Sequence, residues 1–262
     1  MTTRIPLFPL LAAAGLMVPA ATAAAQNAFH WKGTLAPGKT IEIRGVNGDV
    51  TATAGSGQVE VSAVKSARRS DPDEVTIQVV EHADGVTICA VYPSDGRREN
   101  ECLPGGGGHM STHDNDVRVD FTVRVPAGVR FSGNTVNGAV EASSLASDVE
   151  AKTVNGGIRI STSGEAEATT VNGSIVAAMG RSTSSAGLEF TTVNGGITVD
   201  LPATLAANVR AATVNGDIET DFPLTVTGKF GRRSLRGTIG GGGRQLALTT
   251  VNGSIRLRKN GI

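Results

Sequence analysis

Three acidic residues near the C-terminal end have the spacing of a site on one face of a β-strand. Asp217, Glu219 and Asp221 alternate with uncharged residues. In a strand, alternate side chains share a face and lie about 6.6 Å apart along it. Such carboxylates could hold a calcium ion or act as a glycosidase pair. The same alternation is typical of the solvated face of an amphipathic strand. We therefore expect these three residues to lie on the surface rather than in an active site or a metal site.

A second group combines histidine with aspartate. His109, His113, Asp114 and Asp116 are residue types that ligate metals, but they follow the glycine tract 105–108 in a polar segment. A run of glycines and polar residues is typical of a loop rather than of a rigid element that fixes ligand positions. We therefore expect a solvated loop here, and no metal site.

Three further sequence motifs that are typical of enzymes are absent. Gly240–Gly243 lacks the Lys and Ser/Thr of a phosphate-binding loop, so it predicts a turn. No G-x-S-x-G nucleophile motif occurs, and neither cysteine has a Cys–His signature. The sequence predicts no catalytic residue, no cofactor and no metal ligand, and the protein is not expected to be an enzyme.

The first 25 residues have the pattern of a secretory signal peptide. Arg4 is followed by an apolar run, Leu7–Val18, and by the small-residue tract Ala21–Ala25. An uncleaved anchor is the alternative. Cleavage would start the mature chain near Gln26 and place it in the periplasm or outside the cell. No later stretch has about 18 consecutive apolar residues, so the mature chain is expected to lack a transmembrane segment.

Charge limits the class of partner. Removing residues 1–25 leaves 23 basic and 24 acidic residues. This balance argues against a general nucleic-acid binder. The stretch 222–262 is nevertheless basic and has no acid, which suits either a solvated face or a contact with an anionic glycan or lipid headgroup. Its basic residues are Lys229, Arg232, Arg233, Arg236, Arg244, Arg256, Arg258 and Lys259.

The two cysteines, Cys89 and Cys102, are expected to form a disulfide. An exported chain meets oxidising conditions, in which paired cysteines usually bridge. Closing a loop of this size would stabilise the fold by roughly 3 kcal/mol in the chain-entropy model. Two separate buried thiols are the alternative.

One short motif organises the chain. Val-Asn-Gly, with an apolar residue two positions later, occurs seven times, usually after threonine. Most copies are about 20 residues apart, the spacing of a rung in a repeat protein. We expect Asn-Gly to form structural turns rather than a ligand site. The turn residues are Asn47, Gly48, Asn137, Gly138, Asn155, Gly156, Asn172, Gly173, Asn194, Gly195, Asn215, Gly216, Asn252 and Gly253.

Strand periodicity on both sides of each turn predicts an all-β fold. Ile158 and Ile160, for example, alternate with Gly157 and Arg159. We favour a β-solenoid, a β-helix-like stack of rungs of about 20 residues in which identical asparagines form a ladder. A meander of Asn-Gly hairpins is the alternative. The long step between the last two copies suggests a degenerate turn at Leu235–Gly240.

Glycine at these turns is expected to be required by the backbone conformation. Gly195→Val should therefore destabilise the protein, and Gly253→Val should do so less because Gly253 lies close to the C-terminal end of the sequence. Residues 132–262 are assigned to the repeat solenoid. Residues 26–131 are assigned to an irregular antiparallel β region that precedes it, both being parts of one continuous β domain.

The chain resembles an exported bacterial family named "putative adhesins", a domain of unknown function. The resemblance rests on Phe29-x-Trp31, on Ile41–Val50, on Val119–Val129 and on the TVNG series as far as Ile255. It implies the fold, and it implies an adhesin role by architecture without naming an activity.

Two functions follow. The first is a non-catalytic exported scaffold for adhesion or cell-envelope contacts, whose partner is an envelope glycan, a lipid headgroup or a protein. The alternative is a polysaccharide-active enzyme on a β-helix that uses the carboxylates of one strand face. Few aromatic residues follow residue 130, which lowers the expectation of sugar stacking and of the enzyme.

Overall fold

A computed structural model describes residues 28–260 apart from residues 95, 97, 106, 108, 181–185 and 227–232. The predicted signal peptide, Lys229 and Arg232 lie outside the described residues. The described chain is nearly all β, with one short 3-10 turn at Pro72–Glu74. The strands are β1 Ala28–Gly33, β2 Thr40–Arg44, β3 Val50–Gly55, β4 Val59–Ser66, β5 Thr76–His82, β6 Gly85–Val91, β7 Arg118–Pro126, β8 Arg130–Asn134, β9 Val140–Leu145, β10 Val149–Lys152, β11 Ile158–Thr162, β12 Ala166–Thr169, β13 Ile175–Met179, β14 Leu188–Thr191, β15 Ile197–Leu201, β16 Ala207–Ala212, β17 Ile218–Thr220, β18 Thr225–Val226, β19 Ser234–Ile239, β20 Arg244–Thr249 and β21 Ile255–Lys259.

The strands form two sheets that face each other. Sheet A has ten strands in the described part of the chain, in the order β1-β4-β7-β3-β9-β11-β13-β15-β21-β17. Sheet B has eleven among the same residues, in the order β18-β19-β16-β20-β14-β12-β10-β8-β2-β6-β5. Neighbouring strands in the middle of both sheets are parallel. Antiparallel strands lie at the N-terminal end of both sheets and at the other end of sheet B, whereas sheet A ends there in the parallel strand β17.

Each rung consists of a sheet B strand, a Val-Asn-Gly turn and a sheet A strand. In one rung, β10 leads through the turn at Asn155 to β11. Because β11 pairs in parallel with both β9 and β13, Ile158 stands in register with Val140 on one side and Ile175 on the other. This parallel stacking confirms the predicted β-solenoid and excludes the hairpin meander.

Strand alternation builds the core between the sheets. Ile158 and Ile160 are buried while Arg159 between them is exposed. Most inward positions hold Val, Ile, Leu or Ala, and Phe121, Phe131 and Phe190 are among the largest fully buried side chains. Small inward residues suit the narrow space between two sheets, because close packing tolerates little change of volume.

The last motif in the sequence is not the last rung of the stack. Asn252 lies between Asn194 and Asn215, since β21 inserts between β15 and β17. In sheet B, β20 likewise separates β14 from β16. The sequence spacing predicts a repeat but is wrong about its order, because every rung offers the same backbone edge to the next.

The spacing of the motifs predicts a degenerate turn at Leu235–Gly240, and this prediction is also wrong. The segment lies mostly in β19, which pairs antiparallel with β16 from Ser234↔Ala212 to Ile239↔Ala207. The glycine tract 240–243 then carries the chain past β16 to β20, with the Gly242 N–H donating to the Ile239 carbonyl at 3.1 Å. Gly240 and Gly242 have φ of 58° and 73°, a region that favours glycine.

The N-terminal end is closed by other strands. In sheet A, β7 pairs in parallel with β3, and β4 and β1 follow in antiparallel order. In sheet B, β6 pairs in parallel with β2, and β5 is antiparallel to β6. Residues on both sides of position 131 thus contribute strands to both sheets.

A loop after β6 is fastened to sheet B. A disulfide joins Cys89 in β6 to Cys102, with Cα atoms 5.8 Å apart. Arg44 donates from Nη1 to the Leu103 carbonyl at 2.7 Å, and Glu42 accepts the Gly105 N–H at 3.0 Å. The disulfide and these charge-assisted hydrogen bonds hold the loop against the end of the stack.

Candidate interaction surfaces

The asparagines of the Val-Asn-Gly turns form a ladder along one edge of the stack. Each Nδ2 donates to the Oδ1 of the asparagine in the preceding rung, for example Asn155 to Asn137 at 2.8 Å. The ladder passes from Asn194 to Asn252 at 2.7 Å and ends with Asn215 donating to Asn252 at 2.8 Å. Because each amide both donates and accepts, a single residue type satisfies the edge of every rung.

The glycines let successive turns approach closely. A Cβ at Gly195 would lie 2.0 Å from the Gly173 carbonyl oxygen, and one at Gly253 would lie 2.0 Å from that of Gly195. Gly48 has φ of +130°, whereas Gly195 and Gly253 are not in the positive-φ region. The predicted reason for glycine at position 195 is therefore wrong: the nearby carbonyl, rather than a left-handed backbone, excludes a side chain there.

The threonines of the motif point inward and bind the preceding rung. Thr153 donates from Oγ1 to the Gly138 carbonyl at 2.8 Å, and Thr192 does the same to Gly173 at 2.8 Å. These threonines are buried, with exposed fractions of 5% and 1%. A buried hydroxyl needs a hydrogen-bond partner, and the glycine carbonyl supplies it in every rung of this type.

The valines are the outward-facing apolar part of the motif. They form a row beside the asparagine ladder, with strand-to-strand spacing of about 4.8 Å. Most are 36–38% exposed, and Val214 in the last rung is 54% exposed. Val46, in the first turn, is 4% exposed. The valine row consists of Val136, Val154, Val171, Val193, Val251 and Val214.

An acidic column runs along the outer face of sheet B. Glu150 is the register partner of Glu167, and Glu189 lies on the next strand. Partial burial, followed by repulsion from the Glu150 carboxylate, raises the pKa of Glu167. Glu150 and Glu167 line a shallow cleft of about 350 Å³ that Arg130 and Asp148 share. Sequence reasoning missed this column, although each glutamate lies three residues before a motif threonine.

The predicted acidic face at the C-terminal end is on the surface and lies next to basic residues. Asp217, Glu219 and Asp221 are exposed. Glu219 accepts from Arg256 Nε at 2.9 Å, and Asp221 accepts the Lys259 N–H at 3.3 Å. The first contact is an ion pair and the second is a hydrogen bond from the backbone. The described residues contain no cluster of three or more acidic, histidine or cysteine side chains placed to hold a metal ion.

The histidine and aspartate group is not gathered into one site. His113 and Asp114 form an exposed pair with Nε2 and Oδ2 3.3 Å apart. Asp116 instead accepts the backbone N–H groups of Ser70 at 2.9 Å and Arg69 at 3.2 Å. The bond from Ser70 is the main cause that lowers the pKa of Asp116 to about 2. Asp116 therefore holds two loops together.

The basic residues of the C-terminal region have different roles. Arg233, Arg236, Arg256 and Arg258 are exposed, as is Lys259. In contrast, Arg244 is buried and pairs with Glu165, Nη2 to Oε2 at 3.2 Å, and it also donates to the Ala186 carbonyl at 2.7 Å. Arg244 begins β20, so this ion pair fastens the inserted rung across β14 to the segment before β12.

Among the described residues, no helix is both long and apolar enough to cross a membrane. No curated protein sequence matches the chain. Two solved structures are similar over most of its length. A putative cell adhesion protein from Clostridium sporogenes is 11% identical with a TM-score of 0.44, covering 89% of this chain and 100% of its own. A putative adhesin from Bacteroides fragilis is 12% identical with a TM-score of 0.35, covering 90% of this chain and 99% of its own.

A family model covers most of the stack. It matches residues 40–258, which run from β2 into β21, the last strand in the sequence. The match spans the parallel rungs and, apart from β1, the strands that close their N-terminal end. The chain belongs to the Toastrack family, DUF4097.

Proposed function

We propose that the protein is an exported, non-catalytic scaffold of the adhesin type, which presents the valine row to a component of the cell envelope. The observation that carries this proposal is that the residues of the motif have different roles. Threonine, asparagine and glycine bind the neighbouring rungs, whereas valine faces solvent at the same position in successive rungs. A continuous exposed apolar row on a soluble β protein is typical of an interaction site.

Export is part of the same proposal. The signal pattern of residues 1–25 and the disulfide between Cys89 and Cys102 support an oxidising compartment. N-terminal sequencing of protein recovered outside the cytoplasm should find a start near Gln26. An intact Met1 in that material would contradict export by cleavage.

The binding proposal is tested with immobilised envelope glycans, anionic lipid vesicles and envelope proteins. Val154→Lys with Val171→Lys should weaken capture of the component that the parent protein binds, without changing the urea midpoint. Val176→Lys is the matched control, because Val176 lies on the outer face of sheet A, in register with Thr198, and is not part of the valine row. Equal capture by the parent protein and by the Val154→Lys, Val171→Lys variant would contradict the proposal.

A polysaccharide-active enzyme is the second candidate, and the acidic column of sheet B favours it. Glu150 and Glu167 are register partners on neighbouring strands whose backbones lie about 4.8 Å apart, so both carboxylates stand side by side on the outer face, as a glycosidase pair requires. The raised pKa of Glu167 suits a general acid. Release of reducing ends from a glycan, lost in Glu167→Gln, would establish this candidate in place of the scaffold. Binding without release would reject it.

A further inference from the structure

In the described part of the chain, the sheet A half of the last rung is paired on one side only, whereas its sheet B half is paired on both. Its sheet B strand, β16, is flanked by β20 and by the antiparallel β19, with β18 beyond. Its sheet A strand, β17, pairs with β21 and is the final strand of that sheet. Sheet A therefore stops two strands short of sheet B at this end.

The side chains of the last rung show the missing cover. Ile218 is partly exposed, although its counterparts Ile158, Ile175, Ile197 and Ile255 are at most 2% exposed. Each earlier motif glycine donates its N–H to an asparagine carbonyl of the next rung, whereas the Gly216 N–H has no acceptor among the described residues. The edge therefore exposes both an apolar side chain and backbone hydrogen-bonding groups that the next rung covers in the interior of the stack.

The backbone direction fixes which groups are open. The Asp217 carbonyl accepts from Ile255, and the Asp221 N–H donates to Leu257, so these residues bond toward β21. In a parallel ladder, successive residues direct their N–H and C=O groups to opposite sides, so the residues next to Asp217 and Asp221 within β17 point away from β21. Ile218 and Thr220 therefore offer backbone groups to a further strand, which is the arrangement that adds a strand to a sheet edge.

The opposite end of the same sheet has a matching strand. β1 is the other terminal strand of sheet A. Its Phe29 and Trp31 pack against the core, whereas His30 and Lys32 are exposed on the outer face. β1 is antiparallel to β4, and β4 to β7, whose direction the remaining strands of sheet A share. β1 thus runs in the same direction as β17.

We propose that copies of this chain associate head to tail, with β1 of one copy adding in parallel to β17 of the next. Placing Lys32 opposite Glu219 brings His30 to Asp217 and Trp31 to Ile218. Basic side chains then meet acidic ones on the outer face, and apolar ones meet within the core. At the N-terminal end sheet A extends one strand further than sheet B from the first rung, whereas the recess at the other end is two strands deep. This contact therefore requires the two-residue β18 to leave β19, so that β5 of the next copy can take its place.

The charges select this arrangement over a twofold dimer. Two β17 edges related by a twofold axis would place Asp217, Glu219 and Asp221 of one copy against the same acids of the other. Like charges opposite each other destabilise strand pairing. A contact between different surfaces does not close on itself unless a ring forms, so association by this route continues with concentration. This inference is independent of the proposed ligand function.

The first experiment is sedimentation velocity of the purified protein over a wide range of concentrations. The mean mass should rise continuously with concentration, without a plateau at the mass of a dimer, and should fall at high salt because exposed charge pairs are screened. A monomer at every concentration would overturn the proposal. So would a stable dimer.

Charge reversal identifies the two edges. Glu219→Lys and Lys32→Glu should each weaken association by about tenfold, because each places like charges across the contact. Arg159→Glu on the middle of sheet A is the matched control and should leave association unchanged. Urea midpoints and circular dichroism check that the variants remain folded. Association that resists both reversals would reject β1 and β17 as the contact.

Mixing the two reversed variants gives the sharpest result. The Lys32→Glu protein retains a native β17, and the Glu219→Lys protein retains a native β1, so one native contact forms between unlike variants. The reversed edges also complement each other. The mixture should therefore regain association that neither variant shows separately. Failure of the mixture to exceed its components, with both variants folded, would contradict the head-to-tail pairing.

Discussion

The valine of the Val-Asn-Gly motif is buried at one end of the stack and exposed at the other. At the first turn, Val46 is buried, and Asn47 donates from Nδ2 to the Val117 carbonyl at 3.4 Å. Tyr92 donates from Oη to the same carbonyl at 2.8 Å, and burial raises its pKa to about 12. At the last turn, Val214 is 54% exposed and β17 ends its sheet. The two end rungs therefore need contacts other than the motif, because the motif forms its full set of hydrogen bonds only between neighbouring rungs.

The ends also differ in how they are fastened. The N-terminal end has a disulfide, a loop and antiparallel strands that continue both sheets. The C-terminal end is secured from within, since β20 and β21 lie inside the stack and Arg244 is buried. The difference predicts which changes act on the whole stack and which act on one end.

The largest effect is expected from Arg244→Ala. The side chains of Arg244 and Glu165 are 3% and 14% exposed. Removing one member of a buried pair leaves an uncompensated charge and costs about 3–5 kcal/mol. Arg159→Ala is the control, because its partner Glu141 is an exposed contact worth about 0–1 kcal/mol. Urea unfolding of both variants measures the difference, and equal midpoints would show that the inserted rung does not depend on this pair.

Removal of the disulfide tests the other end. The bridge closes a loop with a sequence separation of 13, so Cys89→Ser with Cys102→Ser should cost about 3 kcal/mol. The loss should be largest near the N-terminal end, and hydrogen exchange should quicken in β5 and β6 more than in β20 and β21. Uniform acceleration across the stack would show that the two ends unfold as one unit.

The motif glycines compare an interior rung with the last one. Gly195→Val and Gly253→Val should each cost roughly 1–3 kcal/mol, because the added atoms meet a fixed carbonyl between two rungs. Gly216→Val should cost less, since the last rung can move away from Gly253. This order replaces the expectation from sequence position, in which Gly253 is the less sensitive site. Equal urea midpoints for all three would show that rung position does not matter.

The smallest effect concerns Asp116 and pH. Its pKa is lowered in the folded protein to about 2, so its contribution to stability is present above pH 4 and is lost as the pH falls toward 2. The amide resonances of Arg69 and Ser70 should titrate with a midpoint near pH 2. Asp116→Asn should abolish this titration. A midpoint at the ordinary carboxyl pKa would show that the two hydrogen bonds are weak.

The repeat allowed much of the fold to be predicted from the sequence. Strand alternation and the spacing of the Asn-Gly turns indicate the solenoid, and identical asparagines indicate their ladder. The order of the last rungs could not be predicted, because Asn252 finds the same hydrogen-bond partners beside Asn194 as Asn215 would. The acidic column was missed because Glu150, Glu167 and Glu189 come together only when the rungs are aligned at their threonines.

The position of the final strand constrains how the protein is made. A chain that folds progressively from its N-terminus can add rungs in order as far as the turn at Asn194. The rung of Asn215 has no place to dock until residues 244–260 are available, because β20 and β21 separate it from the completed stack. Residues 244–260 must therefore be in place before the rung of Asn215 can dock, and truncation near the C-terminus removes an internal layer rather than a dispensable end.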